Sequence, residues 1–321
     1  MQKPYPEKKL IRKYFPKNIV VITGITQTGK SLLESIISSF ETSEVVQFNF
    51  LMEQFPMLHN FGYISDEVTV YLLRYALDFM QYDLFLGRNA NFRPGDMSSI
   101  WKVKDPSVYF KRLFAKEGDA VYEEIKKLNP LHILNVHYGV INIEIFLKAF
   151  PDLKMIHLRR HPVDLVHIWY KKEYGEDYCE NRRNGVLTIK GKRKLIPIFA
   201  VGWEDLFEKL KGMDRIVHLL NIVEKKQQEK ISNLPVSVKK KLLVLYFEDV
   251  VTKPLPAVRK ISKFLGVKKT LHTPIVLAKE RCPRILKEED RRASLKEIKR
   301  LASKESMKIL NEMVREYENR K

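Results

Sequence analysis

The chain is 321 residues long, 45% hydrophobic and 30% charged, which excludes a mainly disordered polypeptide and suits one large α/β domain or two small ones. Its formal charge is +19, spread unevenly: 18 basic against 16 acidic side chains in residues 1–150, and 40 against 23 in residues 151–321. A basic second half favours anionic partners, while two cysteines, Cys179 and Cys282, are too few for a disulfide framework or a four-cysteine metal site.

Residues 1–17 read as an extension ahead of a single domain, residues 18–321, with a core over 18–267 and a helical C-terminal segment over 280–321. The extension lacks the apolar stretch of a signal peptide, and no apolar run of about 18 residues follows, so no membrane partner is expected and the cytoplasm is the default location. Short, nearly continuous apolar runs predict strands at Ile19–Thr23, His132–Val136, 155–158 and 242–247, the pattern of strands buried on both faces of a parallel sheet. Helical periodicity lies between them. Leu32, Leu33, Ile36, Ile37 and Phe40 share one stripe, Pro162 suits the first turn of a helix carrying Leu165, Val166 and Trp169, and Val258, Ile261, Phe264 and Leu265 form a stripe closed by Gly266. Strand and helix alternating in this way predict an α/β fold, a three-layer doubly wound sheet, mostly parallel. Residues 174–194 read as a long surface loop or lid. Leu295, Ile298, Leu301, Ile309 and Met313 give the tail the look of one amphipathic helix, and Trp101 and Trp203 are expected in the core.

The first predicted strand runs into Gly24-Ile25-Thr26-Gln27-Thr28-Gly29-Lys30-Ser31, which matches G-x-x-x-x-G-K-[ST] at a strand–helix junction. Glycines let the backbone bend tightly and bring bare N–H groups to anionic oxygens; the helix N-terminus and the Lys30 ammonium add positive charge. A phosphate-type group is expected here. A kinase or nucleotide hydrolase also needs a carboxylate after a second strand to hold magnesium, and Asp249 is the sole tolerable candidate.

Two further segments accompany the loop: Arg159-Arg160-His161-Pro162-Val163-Asp164 after the third strand, and Phe247-Glu248-Asp249 with a later Phe264-Leu265-Gly266. In this order the three resemble the sulfotransferase superfamily, whose members have a P-loop NTPase-like fold and take a sulfuryl group from 3′-phosphoadenosine 5′-phosphosulfate (PAPS). The resemblance covers most of residues 18–267. It implies that Thr26, Gln27, Thr28, Gly29, Lys30 and Ser31 hold the 5′-phosphosulfate, that Arg160 pairs with the 3′-phosphate, that His137 takes the acceptor's proton with Lys30 assisting the leaving group, and that Glu248-Asp249 is structural. The acceptor would be a small molecule or carbohydrate bearing a hydroxyl or amine, with neither metal nor nucleic acid required.

The chain departs from the family pattern in places. Lys30 stands where many members have Thr or Ser, and Gln27 where they have Lys or Arg. His161 follows Arg160 in place of Asp or Asn, Ile168 replaces the 3′-phosphate serine with His167 beside it, and Asn135-Val136-His137 replaces K-T-H. Arg281 to Arg284 is a candidate substitute for a missing R-K-G segment.

Read from residues alone, alternatives stand. His137 is a base or a core histidine, and Arg160 a phosphate ligand or an ion-pair partner. Arg88 and Arg93 meet an anionic acceptor or close a salt-bridged loop. Arg182, Arg183, Lys190, Lys192, Arg193 and Lys194 cover a cofactor or form a solvated face. His161 and His167, six apart, fall on opposite sides of a helix and suit no metal pair. The competing functions are a P-loop kinase or hydrolase and a nucleic-acid-binding protein with a vestigial nucleotide site.

Overall fold

Among the described residues of the computed structural model, 9–177, 179 and 185–319, four strands make a parallel sheet: β1 (Ile19–Thr23), β2 (His132–Val136), β3 (Lys154–Arg159) and β6 (Leu242–Tyr246), in the order β2-β1-β3-β6. β1 lies between β2 and β3, so Thr23 stands beside both Val136 and His157. The crossover from β2 to β3 passes over β1 and puts the reversal of strand order at the carboxyl end of β1, where open α/β sheets leave a crevice.

Alternate residues of each strand feed opposite layers, as the two-residue period requires. Val20 and Ile22 of β1, Ile133 of β2 and Ile156 of β3 pack with Leu33, Ile36 and Ile37 of α1 (Lys30–Ser38) and with Val258 and Ile261 of the helix Pro254–Leu265. Ile19, Val21, Leu134 and Met155 face the other way, onto Leu73 and Leu77 of α3 (Asp66–Phe85) and Phe146 of the helix Ile143–Ala149. The result is the three-layer doubly wound sheet. A further apolar cluster joins the helices Pro162–Lys171, Gly212–Asn233 and Lys304–Glu318 beside it.

Three expectations are corrected. Residues 174–194 are not all loop: they hold a short helix, Tyr174–Asp177, and the strand β4 (Thr188–Lys190), which pairs antiparallel with β5 (Leu195–Pro197). The tail is two helices, Glu288–Leu301 and Lys304–Glu318, because Ser303 leaves helical geometry and its hydroxyl accepts from the Ser306 N–H at 3.2 Å, a side-chain N-cap. Trp101 is 47% exposed rather than in the core, whereas Trp203 packs against the apolar cluster and donates its indole N–H to the Phe199 carbonyl. No helix of the described residues is long and apolar enough to cross a membrane.

Two strand histidines sit in the sheet's interior without charge. Burial, helped by the Arg112 charge, lowers His132 to about 4, and burial with Arg159 and Lys30 lowers His157 to about 3. The unfolded chain takes a proton at each of them near 6.5; the folded chain refuses it until far lower pH. Stability from these two is therefore full above 6.5 and lost as pH falls, by about 1.4 kcal/mol per histidine per pH unit. Urea midpoints should drop steeply from pH 6.5 to 4.5, and His157→Phe should flatten the slope; a flat wild-type profile would contradict burial of uncharged imidazoles.

Candidate functional site

The turn after β1 is built around two positions that admit no side chain. Gly24 has φ 148°, and a Cβ there would sit 2.3 Å from the Leu158 carbonyl oxygen on β3. Gly29 has φ 100°, and its Cβ would meet the Phe247 ring at 2.4 Å. The loop's carbonyls have partners: Gly24 and Ile25 accept from Lys30 Nζ at 2.7 and 3.3 Å, Thr26 from the Trp169 indole at 2.9 Å, and Gln27 from an Arg160 guanidinium N–H at 3.1 Å. The Thr28 hydroxyl donates to Ile25 at 2.9 Å. The Leu32 and Leu33 amides of α1 donate to the Gly29 carbonyl, and the Lys30 and Ser31 amides, which come before any intrahelical acceptor, stand at the helix N-terminus, a position suited to an anion. Burial lowers Lys30 to about 8, against the opposing pull of Glu34 and Glu53, so its ammonium is still mostly charged at neutral pH.

Arg160 follows β3 directly, so the strand's end aims it at the loop. Besides its bond to Gln27, its guanidinium lies 4.2 Å from the centre of the Phe247 ring, and its buried Nε has no partner. Arg284 approaches the same ring at 5.9 Å, which brings one residue of the segment 281–284 to the cleft. Beside Arg160 opens a cavity of about 270 Å³, lined also by His167, Ile168, Lys287, Arg291 and Ser294. The Ser294 hydroxyl lies 3.1 Å from His167 Nδ1. A serine on the helix Glu288–Leu301 thus lines the same cavity as Ile168, which has no hydroxyl.

Glu248 holds this wall together. It accepts the His161 backbone N–H at 3.0 Å and the Tyr317 hydroxyl, tying the start of the helix Pro162–Lys171 to the last helix. Asp249 is exposed on the helix Phe247–Thr252. His161 caps the helix Pro162–Lys171, its Nδ1 accepting from the Val163 N–H, and His167 pairs with Glu297 at 2.7 Å. Among the described residues no group of histidine, cysteine, aspartate or glutamate is arranged to hold a metal.

On the other side of the loop, His137 follows directly on β2. Its backbone N–H and its ring Nδ1 both lie 2.8 Å from Glu53 Oε2. Glu53 belongs to α2 (Leu51–Asn60) and is buried. The carboxylate is an acceptor only, so the ring proton is on Nδ1 and Nε2 carries the lone pair. Burial, then the Lys30 charge, lower the His137 pKa, with Glu53 pulling it up; the imidazole is neutral at neutral pH. A histidine held by a carboxylate in one tautomer is arranged as a base.

Beside α1 and β2 lies a cavity of about 370 Å³ whose walls include Glu34, Phe48, Met97 and Asn135. Phe48 meets His137 edge to face at 6.1 Å, and the Met97 sulfur caps the Ser31 hydroxyl. The remaining basic candidates sit elsewhere. Arg88 pairs with Asp83 and Glu117 and Arg93 with Asp96, so the segment 87–96 is a salt-bridged loop. Lys192 pairs with Asp205, the Arg193 N–H with Glu208, and Lys194 lies over Phe207 at 5.9 Å. Arg182 and Arg183 lie outside the described residues.

The structure therefore gathers Thr26 to Ser31, Arg160 and His137 around the end of β1, and adds Glu53, Glu34 and Ser294, which no sequence motif marks. The family model of the sulfotransferase domain matches residues 17–321. Similar solved structures include the sulfotransferase domain from the curacin biosynthetic pathway, 12% identical over 81% of this chain and 77% of that one with a TM-score of 0.44. The sulfotransferase domain of the Synechococcus PCC 7002 olefin synthase is 12% identical over 97% and 98%, with a TM-score of 0.43. A mouse sulfotransferase complexed with PAP is 11% identical over 82% and 64%, with a TM-score of 0.35. No curated protein matches the sequence.

Proposed function

The chain belongs to the sulfotransferase family, and on that footing we propose that it moves a sulfuryl group from PAPS to a hydroxyl or amine of a small-molecule or carbohydrate acceptor, with His137 as the base. The observation that carries the donor assignment is the Arg160 guanidinium bonded to the Gln27 carbonyl of the loop. One end of the cleft offers amides and an ammonium to a 5′-phosphosulfate; the other offers a forked cation, with its Nε still unpartnered, to a 3′-phosphate. Ser294 and His167 add a hydroxyl and an imidazole to that end.

In the reaction the acceptor oxygen or nitrogen forms a bond to sulfur as the bond from sulfur to the bridging oxygen breaks. The electron pair stays on the 5′-phosphate of adenosine 3′,5′-bisphosphate, and the acceptor's proton passes to His137 Nε2. Such a displacement spreads charge over equatorial oxygens, so the protein acts by position and electrostatics. Glu53 keeps the proton on Nδ1 and then faces the imidazolium that forms. Lys30 turns from the Gly24 and Ile25 carbonyls to the charge growing on the bridging oxygen.

Calorimetry on the full chain separates this reading from an ATP-dependent kinase or hydrolase, the alternative favoured by the literal G-x-x-x-x-G-K-S pattern. Adenosine 3′,5′-bisphosphate should bind without magnesium and at least tenfold more tightly than ATP with magnesium. The reverse order would replace the sulfotransferase reading with the ATP-dependent one.

A further inference from the structure

The cavity between α1 and β2 has unpartnered acceptor oxygens in its wall. Glu34, one turn after Lys30, is 2% exposed, yet neither of its carboxylate oxygens has a hydrogen-bond partner. Asn135, 6% exposed, has an unpartnered Oδ1. Both residues line the cavity. Buried oxygens of this kind are costly to leave bare, and they call for an occupant that donates. The third wall is the Phe48 ring, 40% exposed, whose face attracts a cation. A carboxylate, an amide oxygen and an aromatic face are together the chemistry that recognises an ammonium.

The cavity adjoins the reacting centre: Phe48 in its wall meets His137 edge to face at 6.1 Å, and Asn135 in its wall lies two residues before His137, which follows the end of β2. We infer that this cavity selects an acceptor bearing a protonated amine beside its reacting group, the amine held by Glu34, Asn135 and Phe48 and the reacting group left to His137. The inference rests on the sulfotransferase reading and names its acceptor class. Burial raises the Glu34 carboxyl to about 7 while Lys30 and Lys102 pull it down; an incoming ammonium restores the carboxylate's charge. Asp96 at the rim is engaged by Asn91 and Arg93, so the pairing falls to Glu34.

The test uses the full chain loaded with adenosine 3′,5′-bisphosphate and titrated with two matched pairs: tyramine against 4-propylphenol, and glucosamine against glucose. The amine should bind at least tenfold more tightly than its neutral partner in one pair or both. Glu34→Gln should abolish that preference and Glu34→Asp should keep part of it. Should Glu34→Gln melt early, Phe48→Leu at the exposed wall reads the same site and should reduce the preference. Neutral partners binding as tightly as amines, an amine preference that survives Glu34→Gln, or no binding by any of the four probes would each overturn the inference. Failure of the bisphosphate to load would instead remove the donor assignment, a result seen before any acceptor probe is added.

Discussion

His137→Gln lowers turnover by about 10²–10⁴-fold and leaves the affinity for adenosine 3′,5′-bisphosphate unchanged. Glutamine keeps the size and a donor for Glu53 but has no basic nitrogen. The split between turnover and binding follows from position: His137 follows β2 on the Glu53 side of the loop, whereas the phosphate-directed groups lie at the loop and at Arg160. The pH profile supplies a second readout. Because burial and the Lys30 charge lower the His137 pKa, activity should be full at neutral pH and fall only below the ordinary histidine range. Glu53→Gln, which weakens the hold on the Nδ1 proton, should reduce turnover less than His137→Gln does. Single-turnover release of the bisphosphate at saturating acceptor measures both, and an unchanged rate for His137→Gln would take the base role from this residue.

Lys30→Met should cost the transfer step about 10²–10³-fold, the usual effect of deleting one donor to developing charge. It should also weaken bisphosphate binding by about 10–10²-fold, the range for losing a charged hydrogen bond. Wild-type binding should carry a pH signature. Free Lys30 titrates at about 8, so above that pH binding must be accompanied by uptake of a proton from solvent by the amine, and affinity falls toward tenfold per pH unit until the complex itself deprotonates. Lys30→Met should show no such slope. A wild-type affinity flat from pH 7 to 9.5 would mean that the ammonium does not meet the ligand.

Much of the frame was legible because it is written locally. Ile19–Thr23 and His132–Val136 are short apolar runs ended by a glycine turn and by a polar residue, and the structure reproduces their bounds. The loop was legible because glycine spacing encodes backbone demands, which Gly24 and Gly29 meet against Leu158 and Phe247. Arg160 was legible because the strand before it and the proline two residues after it fix where it must emerge. The rest depends on contacts across long stretches of chain. Glu53 lies in a helix with no motif and meets His137 from 84 residues away. Glu34 reads as an ordinary polar helix position until the segment 95–98 closes over it.

Three-residue strands such as β4 and β5 are too short for periodicity to reveal. The tail's division is readable in principle, since Ser303 ahead of a helical run with Glu305 in its first turn is an N-cap signal, but an apolar stripe continuing past it from Leu301 to Ile309 masks the break. Trp101 was placed in the core on residue type alone; it joins Phe92 and Phe110 in an exposed aromatic group instead.

The claim most exposed to test is that the Arg160 side of the cleft reads a 3′-phosphate. Wild type and Arg160→Ala should be titrated with adenosine 3′,5′-bisphosphate and with 5′-AMP, which differ by that one group. Wild type should prefer the bisphosphate by about 10–10²-fold, the worth of a charged, forked hydrogen bond, and Arg160→Ala should bind the two almost alike while its affinity for 5′-AMP barely changes. A preference that survives in Arg160→Ala, or a wild type that cannot tell the two nucleotides apart, would contradict it.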